Sequence, residues 1–314
     1  MKFDSEKVVI WGHKPNSARN RLGFKYTHTH SYIHQGFFRA FEYLGYRVLW
    51  LDSTDSLDGL DFSSSIFFTE GQVDDGIPLL RDAKYVLHHC ESNKYLECGA
   101  KTLNLCNYVK FCDTGVSPNY PGNSVNRIDK WTFIDSKARA VYQPWATDLL
   151  PMEIDEIGIA KFDRDSNFVN HVGSTKHDGL SPRFKELKLV CIKNGKGLKT
   201  FSGLTQSEMI QKIRGSYISL DLRGDWHREC GYIPCRIFKN LSYGKITGTN
   251  SPWVHGMFDG QIPFGNDVED LFENTRTYSS TIQFAETLRL QKYIRDEHTF
   301  VNRAKSLLDL FGVL

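Results

Sequence analysis

The stretch YIHQGFFRAFEYLGYRVLWLD, residues 32–52, predicts a helix followed directly by a strand. Apolar side chains recur in it at spacings of four, four and three residues, which places them on one helix face: Ile33, Phe37, Phe41 and Leu44. Gly45 follows the pattern, as glycine commonly does just past a helix end. The apolar run Tyr46–Leu51 then predicts a strand, closed by Asp52.

An apolar run on the N-terminal side completes this unit. Lys7–Trp11 predicts a buried strand, so that strand, helix and strand follow one another within about 45 residues. This order is a βαβ unit, the building block of a parallel sheet. Two more short apolar runs, Ser65–Phe68 and Tyr85–His88, continue the pattern further along the chain.

The second half of the chain repeats the alternation. Thr205 and Glu208 form a capping box ahead of an apolar helix face, and Pro234 opens a helix with proline in its first turn. Another helix is predicted after Pro182, and a last one from about Glu297. The strands predicted in this half are Asn167–Val172, Leu187–Ile192, Tyr217–Leu222 and Lys245–Thr249.

Two successive α/β halves favour two domains, since 314 residues exceed what one hydrophobic core usually holds. We therefore predict an α/β fold built of two Rossmann-like domains. The boundary is expected between Pro151 and Asn167, where the acidic and polar stretch Glu153–Ser166 suits a linker.

The composition is that of an ordinary globular protein, with 40% apolar residues, 24% charged residues and a formal net charge of +2. The basic residues are spread along the chain, which argues against a nucleic-acid partner. No run of about 18 apolar residues occurs, so no membrane span is expected. The seven cysteines contain no CxxC pair, and the first residues lack a signal-peptide pattern, which predicts reduced thiols in a cytoplasmic protein.

Two loops of the second half follow predicted strands, the position at which open α/β sheets bind ligands. One contains Gly173 and Ser174, whose small side chains let the backbone approach an anion. The other leads into a helix on which two cations lie one turn apart, an arrangement that suits a diphosphate or, alternatively, a solvated basic face. The binding residues predicted there are Arg223, Tyr232, Ile233, Pro234, Arg236 and Lys239.

Several common motifs are absent from the sequence. No GxGxxG follows the first strand and no GxxxxGK[ST] occurs, which removes the main support for a dinucleotide dehydrogenase or a P-loop kinase. HExxH is also missing, and the acidic pair Asp163 and Asp165 lies in the predicted linker, where it is interpreted as surface charge. The sequence therefore predicts no metal site.

Three segments carry a resemblance to a known family. GYIPCRIFKNLSYG and KITGTNS, residues 231–244 and 245–251, resemble the donor-site helix and following strand of GT-B glycosyltransferases, in particular the CgeB-like (spore-maturation-protein-like) branch. EHTFVNRAKSLL, residues 297–308, resembles that family's terminal helix, with Phe300 in place of a tyrosine. FVNHVGS, residues 168–174, resembles the first strand and phosphate loop of the family's second domain.

This resemblance implies a metal-independent glycosyltransferase in which two Rossmann-like domains face each other across a cleft. It implies an acceptor domain over residues 1–155, a sugar-nucleotide domain over 156–285, and C-terminal helices over 286–314 that return to the first domain. The donor would be a nucleotide-diphosphate sugar of the UDP or GDP type, and the acceptor a saccharide or another hydroxyl compound. No further cofactor is expected.

The resemblance also implies roles for single residues. Gly173 and Ser174 would face the phosphates, Arg236 would contact the diphosphate, and residues 231–234 would shape the pocket. Lys239 stands where the family pattern has a glutamate that holds the ribose, and a lysine cannot accept hydroxyl protons. Either Lys239 binds phosphate, or the ribose is held by another side chain: Asp221, Asp225 or Glu229.

An inverting transferase needs a general base close to the acceptor hydroxyl. His28 and His30 are the predicted catalytic residues, because they lie at the loop-to-helix junction after the first strand and histidine titrates near neutrality. Their alternative role is that of ordinary polar residues at a helix start. Further candidates for the base are His34, Glu70, His88, His89 and Glu91.

Two other functions fit the same fold. One is a sugar-nucleotide epimerase-like enzyme, which would need additional acid and base carboxylates in its cleft. The other is a non-catalytic sugar-nucleotide-binding protein, which Lys239 in place of the family glutamate would favour.

Overall fold

The computed structural model describes residues 7–12, 29–108, 125–127, 131–135, 140–175, 180–282 and 284–313. The chain divides into two compact units. Within the described ranges, unit 1 holds residues up to 150 together with 300–313, and unit 2 holds residues 151–299.

Unit 1 alternates strands and helices along most of its length. Its described elements are β1 (Lys7–Trp11), α1 (Thr29–Tyr43), β2 (Arg47–Leu51), β3 (Ile66–Glu70), β4 (Lys84–His88), α2 (Asn93–Glu97), β5 (Lys101–Cys106), β6 (Val125–Arg127), β7 (Phe133–Asp135), β8 (Ala140–Tyr142) and α11 (Phe300–Val313).

The strands of unit 1 form one sheet. Among the described residues it has eight strands in the order β2-β1-β3-β4-β5-β8-β7-β6. The first six strands in this order run parallel, and β7 and β6 are antiparallel to their neighbours. The central strands β1, β3 and β4 are buried on both faces, which is why their sequences are continuous apolar runs rather than alternating ones.

Helices α1 and α11 cover one face of this sheet through aromatic contacts. The Phe37 ring of α1 lies 4.3 Å from that of Phe68 in β3 and 4.9 Å from that of Phe300 in α11, measured between centroids. The opposite face carries a second aromatic group, in which Phe67 stacks on Tyr85 at 5.1 Å. The last helix of the chain is therefore a core element of unit 1, as the resemblance implies.

Unit 2 follows with the elements α3 (Pro151–Ile157), β9 (Phe168–Val172), α4 (Leu180–Lys193), β10 (Gly197–Phe201), α5 (Gln206–Arg214), β11 (Ser219–Asp221), α6 (Asp225–Glu229), α7 (Cys235–Ser242), β12 (Thr247–Thr249), α8 (Pro252–Met257), α9 (Val268–Thr281) and α10 (Phe284–Glu297).

The strands of unit 2 pair in parallel, β9 with β10 and β11 with β12. The segment that leads into β11 bonds to β9, because the Tyr217 amide donates to the Phe168 carbonyl at 2.8 Å and the Asn170 amide donates to Ser216 Oγ at 2.8 Å. Helices α4 and α9 pack on these strands through buried apolar side chains such as Leu187, Leu220 and Phe272. Unit 2 thus has the strand–helix alternation predicted for a Rossmann-like domain.

Three sequence predictions differ from the structure. Leu187–Ile192, predicted as a strand, is part of helix α4, because its side chains follow a helical rather than an alternating burial pattern. The predicted linker Glu153–Ser166 begins inside helix α3. Of the segment 286–314, helix α11 lies in unit 1, whereas α10 lies in unit 2.

Candidate functional site

The side chains predicted to bind an anion meet where strands β9, β11 and β12 of unit 2 end. β9 ends before Gly173, β11 ends at Asp221 two residues before Arg223, and β12 ends before Asn250. Helix α7, which carries Arg236, begins beside them. Carboxyl ends of parallel strands are the usual ligand site of an α/β sheet, so this group is the candidate functional site.

The buried carboxylate of Asp221 organises the site. It accepts a hydrogen bond from Arg223 Nε at 2.7 Å, and Arg223 Nη2 bonds to the same oxygen. Its other oxygen accepts from the Thr249 hydroxyl at 3.1 Å. Both oxygens are therefore engaged within the protein, and Asp221 and Arg223 form a buried ion pair.

Arg223 is held at its backbone as well as at its side chain. Its amide donates to Asn250 Oδ1 at 2.7 Å, and the Asn250 side-chain amide donates to the Arg223 carbonyl at 2.9 Å. Its guanidinium lies 5.8 Å from the centroid of the Tyr232 ring. Burial opposes the charge of Arg223, but Asp221 outweighs burial and raises the pKa of Arg223. Arg223 is thus a fixed structural cation.

Arg236 is the second buried cation, and its charge is less well compensated. Its Nη1 lies 4.0 Å from Asp221 Oδ1, the oxygen already bonded to Arg223, and its side chain is 12% exposed. Two of its nitrogens, Nε and Nη1, are buried and have no hydrogen-bond partner in the described part of the chain. Burial, and next the charge of Arg223, lower the pKa of Arg236 to about 10. Buried donors without acceptors are costly, so this guanidinium is suited to an incoming anion.

Gly173 lies directly against Arg236. A Cβ atom on Gly173 would stand 2.6 Å from Arg236 Nη2, and the φ angle of Gly173 is +132°. Both the contact and the backbone conformation require glycine at this position. The structure therefore brings together Gly173 and Arg236, which the sequence analysis predicted separately. Ser174, the next residue, is exposed at the surface of unit 2.

His171 lies beneath the same loop and was not predicted. Its Nε2 contacts the Ser174 carbonyl at 3.4 Å, and its ring packs edge-on against Phe184 at 4.4 Å. Burial, and then the charge of Arg236, hold the pKa of His171 well below its ordinary value of 6.5. A neutral ring can donate Nε2–H to the carbonyl, so His171 supports the turn at Gly173. The signal available in the sequence was its position two residues before Gly173.

Lys239 is buried, and its Nζ lies 3.9 Å from Met209 Sδ of helix α5. Its charge contributes to the lowered pKa of His171, which places it within electrostatic reach of the site. The solvated basic face considered for Arg236 and Lys239 is wrong, because Lys239 is buried and the side chain of Arg236 is only 12% exposed. Phosphate binding by Lys239 stays a prediction.

The remaining predicted residues form the turn into helix α7. Tyr232 is half-buried, and its ring stacks on that of His227 at 4.4 Å. Ile233 is buried, and Pro234 is the residue just before the first turn of α7, without a side-chain cap. The backbone N–H groups at a helix start have no partner within the helix, and together they favour an anion.

The predicted bases lie in unit 1. His28 falls outside the described residues, and His30 lies in the first turn of helix α1. Glu70 and His88 are register partners on β3 and β4, so both side chains point to one face of the sheet, where they are buried. His89 is exposed with a φ angle of +53°, and its ring lies 4.1 Å from that of His88.

The described ranges contain no group of three or more histidine, cysteine, aspartate or glutamate side chains arranged to hold a metal ion. They also contain no helix of the length and apolarity needed to cross a membrane.

Comparison with solved structures supports the fold. No family model and no curated protein sequence matches the chain. Among solved structures it is similar to an α-glucosyltransferase in complex with UDP and a 13-mer DNA containing a central A:G mismatch, with a TM-score of 0.57, 11% identity, and coverage of 98% of this chain and 99% of the other. A glycosyltransferase from Rickettsia africae ESF-5 aligns over 98% of both chains at 10% identity with a TM-score of 0.47.

The first of these similarities confirms the fold prediction. The α/β fold of two Rossmann-like units, predicted as GT-B, is the fold of this α-glucosyltransferase over almost the whole chain.

Proposed function

We propose that this chain is a metal-independent glycosyltransferase that moves a sugar from a nucleotide-diphosphate sugar, of the UDP or GDP type, to a saccharide or another hydroxyl acceptor. The observation that carries the proposal is the Arg236 guanidinium, which lies against Gly173 at the ends of parallel strands and has two buried nitrogens without a hydrogen-bond partner among the described residues. The fold shared with a glycosyltransferase that was solved with UDP supports it.

Three features of unit 2 would hold the diphosphate. Arg236 supplies charged N–H groups, the start of helix α7 supplies backbone N–H groups, and the Gly173–Ser174 loop supplies a close backbone approach. As the bond to the sugar breaks, negative charge accumulates on the departing diphosphate. Fixed cations and amides at that position would stabilise this charge, the role that a metal ion has in other transferases.

The ribose contact is proposed for an exposed carboxylate. Asp221 has both oxygens engaged by Arg223 and Thr249, so it is the weakest of the three candidates. Asp225 is 68% exposed and pairs with Arg183 and Arg228, and Glu229 is exposed on the same short helix. For the base that accepts the acceptor's proton, His28 and His30 remain the proposal.

The first experiment is a thermal-shift screen of the full chain against UDP, GDP, dTDP, CMP and their sugar conjugates, with and without EDTA. Stabilisation by one nucleotide family, unaffected by EDTA and lost in Arg236→Ala, is the expected result. Arg276→Ala is the matched control, because Arg276 forms an exposed ion pair with Glu273 on helix α9 and should leave the shift unchanged.

The fate of the nucleotide sugar that binds then distinguishes the three functions. Release of free sugar or transfer to an added acceptor supports the transferase. Conversion of the donor into its epimer would replace it with an epimerase-like enzyme, and tight binding without turnover would replace it with a binding protein. The absence of a shift with every nucleotide at millimolar concentration would contradict the donor site itself.

A further inference from the structure

Unit 2 contains a cavity that is separate from the arginine site. It lies at the junction of helices α9 and α10 and has a volume of about 410 Å³. Small-ligand sites commonly enclose roughly 300–1,000 Å³, so the cavity is large enough for a small molecule. Of the described residues, five line it: Tyr278, Ile282, Ala285, Glu286 and Arg289.

The course of helix α9 places this cavity away from the strand ends beside which Arg236 lies. Gly265, which bonds to the last residue of β12, packs against Leu271 in the first turns of α9. One turn later Thr275 packs against Gly248, one residue further back along β12. The helix therefore runs from the carboxyl end of the strand toward its amino end, and Tyr278 lies beyond Thr275 in that direction.

Two of the three polar side chains of the cavity bond to the same residue, Gln261. The Tyr278 hydroxyl donates to the Gln261 carbonyl at 2.8 Å, and Arg289 Nη2 donates to Gln261 Oε1 at 2.6 Å. Arg289 also pairs with Glu286, through Nη2 and through Nε at 3.3 Å. Side chains held in this way lose little freedom when a ligand binds.

The charges of the lining residues cancel. Glu286 and Arg289 carry opposite charges and lie in contact, and we call this pair the rim of the cavity. The rim therefore has hydrogen-bond donors and acceptors but no net charge. An anion such as a nucleotide would meet the Glu286 carboxylate, and a cation would meet the Arg289 guanidinium. The rim therefore favours a neutral ligand that both donates and accepts hydrogen bonds.

The apolar part of the cavity completes the chemistry. Its lining includes the aromatic residue Tyr278 and the aliphatic residues Ile282 and Ala285. A pyranose has an apolar face of C–H groups, which can lie on the electron-rich face of an aromatic ring, and a rim of hydroxyl groups. We propose that this cavity is a binding site for a neutral saccharide, with Tyr278 as the platform and Glu286 and Arg289 as its hydroxyl partners.

The proposal does not rest on the donor site, and its test keeps the two apart. Ligand-observed saturation-transfer NMR on the full chain would use maltotriose, cellotriose and chitotriose as probes, without nucleotide. At least one is expected to bind in the millimolar range, with contacts concentrated on one sugar ring. Arg236→Ala should bind it unchanged, because Arg236 takes no part in the cavity.

Two variants of the platform make the test decisive. Tyr278→Ala removes the ring and is expected to weaken binding at least tenfold. Tyr278→Phe keeps the ring, loses only the bond to the Gln261 carbonyl, and should retain binding within a few-fold. Thermal unfolding checks that both variants are folded.

Three results would overturn the proposal. They are the absence of binding by all three saccharides, unchanged binding by a folded Tyr278→Ala, and loss of binding in Arg236→Ala. Glu286→Gln adds a separate check on the rim: it disturbs the pair with Arg289 and should weaken binding several-fold.

Discussion

Arg236 and Gly173 define the candidate site at the level of single residues. The carboxylate of Asp221 lies near two guanidinium groups. Arg223 donates to it at 2.7 Å, whereas the nearest Arg236 nitrogen is 4.0 Å away. With its pKa lowered only to about 10, Arg236 stays protonated at neutral pH, and burial leaves that charge poorly solvated. An anion that accepts hydrogen bonds from Nε and Nη1 would relieve this cost, which is why we propose that the diphosphate binds there.

Gly173→Ala is expected to weaken nucleotide binding at least tenfold and to destabilise the fold by about 1–3 kcal/mol. The new Cβ would overlap Arg236 Nη2, and the φ angle of +132° strains any side chain. Gly195→Ala is the matched control, since Gly195 has a φ angle of +65° with open space around it. Calorimetric titration with the nucleotide that stabilises the wild-type chain should separate the two variants, and equal binding by both would contradict the contact with Arg236.

His171 predicts how stability depends on pH. Its pKa in the folded chain lies well below 6.5, so below that pH the unfolded chain binds a proton that the native chain does not. Stability should therefore fall as the pH falls, by up to about 2 kcal/mol between pH 6.5 and pH 5 from this group alone. Urea unfolding at both pH values measures the loss, and His171→Gln should lose less. An equal loss in the variant would assign the effect to other groups.

The sequence predicted part of this site because part of it is local. Gly173 follows a strand and Arg236 opens a helix, and both patterns are visible within a few residues. The bonds between Arg223 and Asn250, and between Asp221 and Thr249, join positions 27 and 28 residues apart. These residues become neighbours because of the order of the strands in the sheet. That order cannot be read from the spacing of residues along the chain.

Helix α4 shows the same limit at the level of elements. The run Leu187–Ile192 is short and apolar, a pattern that fits a buried strand as well as one turn and a half of helix. In the structure Leu187, Val190 and Cys191 are buried, whereas Leu189 and Ile192 are 68% and 59% exposed. An amphipathic helix is recognised by polar residues on its exposed face. Because Leu189 and Ile192 are apolar and yet exposed, the helical period was not visible in the sequence. The strand forms instead at Gly197–Phe201.

The start of helix α5 was predicted from the sequence and is present in full. Thr205 accepts a hydrogen bond from the Glu208 amide, and Glu208 reaches back to the Thr205 amide. Thr205→Ala is expected to lower the free energy of unfolding by about 1 kcal/mol, because the helix start loses a cap. Denaturant titration measures the change, with Ser207→Ala, an exposed position in the first turn, as the control. Equal effects from both substitutions would show that the cap contributes nothing measurable.

At the scale of the whole molecule, unit 1 depends on the last segment of the chain. The buried Arg303 of helix α11 donates to the carbonyls of Pro144 and Trp145, and its own carbonyl accepts from the Gln143 side chain. These bonds cross about 160 residues of sequence, so no local pattern predicts them. The return of this helix was foreseen only through the family resemblance of residues 297–308.

Gly36 allows helix α11 to approach helix α1. A Cβ on Gly36 would stand 2.1 Å from Cδ2 of Phe300, so the ring occupies the space that a side chain would need. Glycine inside a helix lowers stability by about 1 kcal/mol relative to alanine. Helix propensity alone would therefore make Gly36→Ala stabilising. We expect the opposite: Gly36→Ala should destabilise unit 1 by about 1–3 kcal/mol, because the Phe300 ring must leave its position.

Gly312→Ala provides the comparison within helix α11. A Cβ on Gly312 meets nothing within 4 Å, so this substitution should be neutral or stabilise by up to about 1 kcal/mol. Hydrogen exchange read by mass spectrometry reports the two units separately, and the loss in Gly36→Ala should appear in the peptides of unit 1. Stabilisation by both substitutions would mean that α11 packs less closely on α1 than the structure shows, and equal loss in both units would mean that they unfold together.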